Sequence, residues 1–349
     1  MPEKTAARLA LDPPRAFGPP VASGMLRVEP EDFTVDEELG FTPDGEGSHV
    51  LLRVRKRNAN TAWVARELAR AAGCGERDVG YAGLKDRRAV ATQWFSVPAR
   101  ERDHDRWAAF AGQDFAVLEA HAHRRKLPRG ALAANRFVIR LRAVEGDRGA
   151  LRDRLEHVRA RGVPSYFGAQ RFGRGGANLD RISRLASLRR HERGMVLSAA
   201  RSLIFNAVLA ARVEDGTWDR IETGDVAILD GRGSIFAVDA ADAGLEERSV
   251  RLEVHPTGPL WGDGPPATAG RVRALEMEAA SRFPGATEAV IEAGMHPERR
   301  SLRLAVRDLE YDLHGDPVIV FRLTRGAFAT SVLREIAHCM ESAGGQEVA

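Results

Sequence analysis

Lysine is scarce in this chain. Among 349 residues it occurs only at Lys4, Lys56, Lys85 and Lys126, so arginine supplies nearly all of the positive charge. The planar fork of arginine suits phosphate recognition, and a biased genomic base composition produces the same excess without any function. Cysteine is scarcer still. Cys74 and Cys339 are too few for a disulfide framework or a thiolate metal site, and they predict reduced thiols and a cytoplasmic protein. No run of 18 apolar residues exists, so no membrane span is expected. The first 20 residues carry Pro13, Pro14, Pro19 and Pro20 but no apolar signal core, which predicts a loose N-terminal arm over 1–22 and no secretory leader. A Gly-Lys-Ser/Thr phosphate loop, a His-Glu-x-x-His pair and a paired-cysteine zinc pattern are all missing.

What remains is globular in composition, with 44% apolar and 29% charged residues, and long enough for about two domains. The net charge of +3 is small, so a nucleic-acid surface would have to come from local clustering. Residues 49–57 alternate, with Val50, Leu52 and Val54 on one face and Leu51, Arg53 and Arg55 on the other, which predicts a half-buried strand with a basic outer face. Asn60 or Thr61 can cap a helix running to Ala72, closed by Gly73 and Gly75. Strands are expected over 25–35 (interrupted at Pro30), 115–122 and 137–142, and a helix over 147–160. From about 164 to 300 the periodicity is mostly helical. It is clearest over 194–213 and is interrupted by a hairpin of 225–229 with 234–238, while 258–266 reads as loop. Strands return at 302–306 and 318–323, and a last helix is expected over 331–340. The β-rich ends and helical middle suggest one domain interrupted by another.

The most informative stretch is 80–97, GYAGLKDRRAVATQWFSV, which places one carboxylate, Asp86, among Lys85, Arg87 and Arg88. It reads as strand, polar turn, strand, so Asp86 sits on a loop held between buried strands. Three cations favour the charged form of a neighbouring carboxylate and can also hold an RNA backbone against it. Such a carboxylate can act as nucleophile or base, or the turn can simply be solvated. The link 123–129 carries Arg124, Arg125, Lys126 and Arg129 and is the best local candidate for RNA-backbone contact, with a solvated loop as the alternative. His121 and His123 share a strand face and read as a surface pair. Asp32, Asp36, Glu37 and Glu38 read as a solvated acidic turn, and the glycines of 173–176 as a flexible turn.

The segment 82–90, AGLKDRRAV, followed by Gln93-Trp94, resembles the signature of the TruD family of tRNA pseudouridine synthases. Four further segments match the same family in the same order: 29–33 (EPEDF), 130–137 (GALAANRF), 163–173 (VPSYFGAQRFG) and 326–335 (GAFATSVLRE). Several long matches in order are far more specific than one short pattern. The resemblance implies an α+β fold: a pseudouridine synthase core with a mixed, mainly antiparallel sheet and flanking helices, over 1–160 and 303–349. A largely helical inserted TruD domain would occupy 161–302. It implies isomerisation of uridine to pseudouridine at tRNA position 13, with Asp86 as nucleophile, no cofactor, no metal and no obligate protein partner. It places Phe33, Asn135, Phe137 and Phe328 at the substrate nucleotide, and Arg27 at a basic pocket position that is commonly Lys in relatives. Lys85, Arg87, Arg124, Arg125 and Lys126 are the candidates for the RNA backbone. Two departures are visible: Ser165 stands where relatives often carry Asn, and Ala91-Thr92 replaces a more usual Thr-x before Gln93. A non-catalytic RNA-binding protein of the same fold, which could lose Asp86 freely, and a metal-dependent nuclease are the competing readings.

Overall fold

The computed structural model describes residues 2–98 and 105–341. The architecture is α+β, arranged as two compact units. One comprises residues up to Pro20, Asp153–Ala305 and Thr330–Ile336; the other comprises Val21–Arg152, Val306–Ala329 and the described residues from Ala337 onward. Relative to the expected division at 160/161 and 302/303, the difference lies mainly in the segments before Val21 and around 330–336, which group with the helical unit.

The unit containing Asp86 is built on strands β1 (Ala22–Leu26), β2 (Phe33–Leu39), β3 (His49–Arg57), β4 (Gly80–Tyr81), β5 (Val90–Pro98), β6 (Phe115–His123), β7 (Leu132–Arg140) and β8 (Arg142–Gly146). The main sheet runs, edge to edge, Arg307–Asp312, Val318–Thr324, β7, β2, β5, β3, β6, with β4 paired to β5. Within this sheet, among the described residues, only β2 and β5 are parallel; its remaining ladders are antiparallel. The alternation in β3 puts Val50, Leu52 and Val54 against Val64, Ala65 and Leu68 of the helix Thr61–Ala72. That helix stops where Gly73 adopts the left-handed conformation, which costs glycine no Cβ clash. The opposite face of β3 is less open than the pattern suggests, because Leu51 is fully buried with Trp94, Leu127 and Leu132.

Three sequence expectations are corrected here. The helix expected over 331–340 ends at Ile336, and His338–Glu341 is a strand paired in parallel with β1. An open backbone edge on β1 outweighs helical periodicity in that stretch. The acidic segment after Pro30 is not a solvated turn. Asp32 and Glu37 are buried, Asp32 pairs with Arg142 at 2.8 Å, and Glu38 pairs with Arg322 at 2.6 Å. The supposed loose arm contains a helix, Pro2–Leu11, whose Leu9 and Ala10 are buried in the core of the helical unit.

That second unit is centred on the helix Arg190–Glu214, whose apolar stripe is covered by Gly270–Ser281 and Pro284–Glu292. This helix is long and apolar enough to cross a membrane, yet 72% of its most apolar window is buried in the unit, so its apolarity serves the core. The expected hairpin appears as Val226–Leu229 with Ile235–Ala237. The stretch read as loop from 258 begins within a strand, Val254–Leu260, that pairs with Val226–Leu229 and with Glu298–Ser301. The helical middle of the sequence therefore also carries a four-stranded sheet.

Candidate active site

Residues 82–89 form the loop between β4 and β5, and three buried polar side chains hold its backbone. Gln93 on β5 donates its amide to the Gly83 carbonyl at 2.5 Å. The Thr61 hydroxyl, which donates to Gln93, accepts the Lys85 backbone N–H at 3.1 Å. Lys56, at the end of β3, donates its ammonium to the carbonyls of Ala59 at 2.6 Å and Asp86 at 2.9 Å. At Gly80 the chain passes so close to the Leu127 carbonyl and the Ser96 hydroxyl that a Cβ would overlap both. The loop is thus fixed at its base and along its length, while the Asp86 side chain remains 52% exposed.

Arg27 reaches that carboxylate, with Nη2 at 2.7 Å from Asp86 Oδ2, while Nη1 is ion-paired with Glu341 on the C-terminal strand. Its guanidinium lies over the Phe33 ring, 4.1 Å from the centroid. Arg27 sits just past the end of β1 with φ +56°, a left-handed conformation that costs a residue with a Cβ about 1–2 kcal/mol. Strain of this kind concentrates where a side chain must be aimed. The Arg88 guanidinium donates to the Arg27 carbonyl at 3.0 Å, tying the same segment to the Asp86 loop.

Phe33 meets Phe137 edge-on at 6.0 Å between centroids, and Phe137 packs on Phe321 at 5.4 Å. Asn135 lies opposite Glu37 across β7 and β2, and Lys85 bridges them: its ammonium is 2.7 Å from Glu37 Oε2 and donates to Asn135 Oδ1 at 2.6 Å. Burial raises the Glu37 carboxyl above its ordinary range, with Lys85 opposing the shift. Arg27, Phe33, Lys85, Asp86, Asn135 and Phe137 therefore form one connected set. Phe328 lies beyond the end of Val318–Thr324, half exposed, in the turn before the helix Ala329–Ile336. Lys85, expected at the RNA backbone, is instead committed to a buried carboxylate and an amide.

A sequence profile described as tRNA pseudouridine synthase D (TruD) matches residues 17–184 and 177–336. The chain is 47% identical to the tRNA pseudouridine synthase D of Nitrosococcus oceani over 340 residues, covering 94% of this chain and 95% of that one. The chain belongs to the TruD family. It is also 46% identical to the tRNA pseudouridine synthase D of Methylococcus capsulatus, covering 93% of this chain and 94% of the relative. A solved structure from Methanosarcina mazei, titled a putative tRNA pseudouridine synthase D, shares the fold with a TM-score of 0.74 at 21% identity, covering 95% of this chain and 97% of that one. TruD proteins are pseudouridine synthases, a class of isomerases.

Two polar residues that support the TruD site, Lys56 and Glu37, were not singled out for it by sequence pattern, and Gln93 and Thr61 read only as part of the signature and as a helix cap. Lys56 did leave a signal: it continues the apolar face of Val50, Leu52 and Val54, where a charge is out of place. Burial lowers its ammonium to about 8, with Asp86 opposing and Lys85 adding to the shift. Between that value and the ordinary 10.5 the unfolded chain holds a proton that the folded chain has released, so this group's contribution to stability rises with pH across that window. Activity is expected to move the other way, falling with an inflection near 8 as the ammonium that orders the Asp86 carbonyl is lost. Lys56→Met should lower the single-turnover rate by about 10- to 100-fold and abolish that inflection. A rate–pH profile of the variant that keeps the inflection would exclude Lys56 as its source.

Of the RNA-backbone candidates, Arg124 is ion-paired with Glu46 and Lys126 donates to the Arg77 carbonyl. Arg125 is exposed and has no polar partner among the described residues. Arg87 is exposed on the Asp86 loop. His123 pairs with Asp44 and His121 with Glu119. Among the described residues no three His, Cys, Asp or Glu side chains are grouped to hold a metal. Arg124→Ala with Arg125→Ala should reduce the salt dependence of tRNA affinity by about one to two units, each phosphate contact counting about one. Phe328→Ala should leave that slope unchanged and lower mainly the catalytic rate, because base stacking, worth about 1–3 kcal/mol, depends little on salt. Affinities at several salt concentrations, with single-turnover rates, check both; the opposite pattern would reverse the two assignments.

Proposed function

We propose that this chain isomerises uridine to pseudouridine in tRNA, at position 13, with Asp86 as the nucleophile. The observation that carries the reading is the Asp86 carboxylate, exposed on a loop pinned by Lys56, Thr61 and Gln93 and ion-paired with Arg27 at 2.7 Å. Fixed geometry with one free carboxylate oxygen is what attack at a single carbon requires. Asp86 adds to the ribose, or assists departure of the base, as the bond from ribose to uracil nitrogen breaks; uracil rotates, and its carbon bonds to the ribose as any Asp86–ribose bond breaks and the carboxylate is released. The proton on that carbon is lost and the nitrogen gains one, so atoms balance without oxidant, water, metal or cofactor.

A flipped base needs an apolar ring and a hydrogen-bonding edge beside the nucleophile. Phe33, buried beneath the Arg27 guanidinium, and Phe137, packed edge-on against Phe33, supply the apolar wall. Asn135 has its carbonyl oxygen occupied by Lys85, which leaves its NH2 to donate to a uracil carbonyl. Phe328, half exposed, is the ring available for stacking. We assign the unit with Asp86 as the catalytic core and the helical unit as the family's inserted domain, acting on tRNA in the cytoplasm. Mass-shift mapping of pseudouridine in tRNA from cells with and without the gene, and after treatment of unmodified tRNA with purified protein, tests the reading. Pseudouridine at position 13 that depends on the protein is expected. Identical maps would refute the activity, and a dependent signal at another uridine would refute the position.

A further inference from the structure

In the helical unit, two arginines face one aromatic ring without an acid. Phe167 is buried, and the guanidinium carbons of Arg300 and Arg171 lie 4.5 and 5.2 Å from its ring centroid. Arg300 donates to the Ser165 hydroxyl at 3.1 Å, and its buried Nε has no hydrogen-bond partner. Arg171 is exposed and donates to the Ser198 hydroxyl at 2.8 Å. Neither forms an ion pair among the described residues. Burial and the charge of Arg171 together push the Arg300 guanidinium down to about 10. A half-buried cation is ordinarily compensated by a carboxylate; here the nearest charge is of the same sign.

The surroundings extend the positive potential. Arg171 and Ser198 line a surface groove together with Arg190, His191, Gly194 and Met195. Arg190 and His191 are exposed in the first turn of Arg190–Glu214, the positive end of a 25-residue helix. The acid of that turn, Glu192, is already engaged by Arg181 at 2.6 Å. An anion entering beside Phe167 would relieve the repulsion between the two guanidiniums and give the unpaired Nε an acceptor. Phosphate matches the arginine fork.

We propose that Arg171 and Arg300, with Phe167 as their platform, form a phosphate site that holds the backbone of bound RNA. A phosphodiester fits better than a free anion because exposed Arg190 continues the cationic track along the groove, where a neighbouring phosphate of a strand would lie. The inference rests on the reading that tRNA is the substrate, and its test separates the two.

Affinity for unmodified tRNA is measured against salt for the full chain and for Arg171→Gln, Arg300→Gln and the double variant, alongside single-turnover pseudouridine formation at saturating tRNA. Each single variant should reduce the salt slope by about one unit and leave the saturated rate unchanged. The double variant should lose about one unit rather than two, because the two arginines hold one phosphate jointly and losing either releases it. Arg171 is exposed, so its variant remains informative if Arg300→Gln folds poorly. Inorganic phosphate should raise the melting temperature of the wild type and not that of Arg171→Gln. An unchanged slope for Arg171→Gln overturns the proposal even where wild type forms pseudouridine. Stabilisation by inorganic phosphate with an unchanged RNA slope overturns the RNA assignment in favour of a free-anion site. A wild type that forms no pseudouridine removes the enzymatic reading, while the slopes still decide the phosphate site.

Discussion

Asp86→Asn is expected to form pseudouridine at below about 1% of the wild-type single-turnover rate, because the amide lacks the charge and nucleophilicity of the carboxylate, while binding tRNA almost unchanged. The structure makes this substitution a clean one. The Asp86 side chain is half exposed, so no burial is disturbed, and its oxygen can still accept from Arg27. The loop does not depend on that side chain for its shape. Its backbone is held at Gly83 by Gln93, at Lys85 by Thr61 and at the Asp86 carbonyl by Lys56. The Asp86 charge also supports the Lys56 ammonium, so the comparison is made well below pH 8, where a loss of turnover reports on chemistry and not on a loosened loop. Turnover above a few per cent of wild type, with binding intact, would sink the assignment of Asp86 as nucleophile.

Lys85→Met should be the most destabilising single change in the site. Glu37 and Lys85 form a buried pair 2.7 Å apart, and removing one partner of such a pair typically costs about 3–5 kcal/mol. The pH dependence identifies the cause. In the wild type, burial already raises the Glu37 carboxyl above its ordinary 4.5, and Lys85 opposes the shift. Without Lys85 the carboxyl rises further. From its ordinary value up to the raised one, the folded chain holds a proton that the unfolded chain has lost, so the group's contribution to stability falls as pH rises through that window. The deficit in Lys85→Met should thus be large at neutral pH and shrink on acidification. Adding Glu37→Gln should restore much of the stability without restoring activity, since Asn135 still lacks its donor. Urea unfolding at pH 5 and 7.5 for both variants provides the measurement. A deficit independent of pH, or no rescue by Glu37→Gln, would mean that Lys85 stabilises the fold by packing alone.

Much of this site could be read from residue order. A carboxylate inside a cationic turn between two β-prone runs predicts a loop on a rigid base, because chain connectivity and local conformational preference are encoded within a few residues. The alternation of β3, the helix after Asn60 with its glycine stop, and the hairpin near 226–237 are local in the same sense. So are the five ordered segments that resemble the TruD family. The partners of charged side chains were not legible. Glu37 and Asp32 look like members of a solvated acidic run, yet the pairing of β2 with β7 sets Glu37 opposite Asn135 and beside Lys85, and Asp32, in the turn before β2, is buried against Arg142. Arg27 and Asp86 are 59 residues apart, and Arg27 and Glu341 are 314 apart. Their convergence required a C-terminal strand that periodicity alone reads as the end of a helix. The sequence by itself determined which residue types and which local elements this protein has. The tertiary structure decided which charges neutralise one another, because burial and strand register bring together groups whose separation along the chain carries no signal of contact.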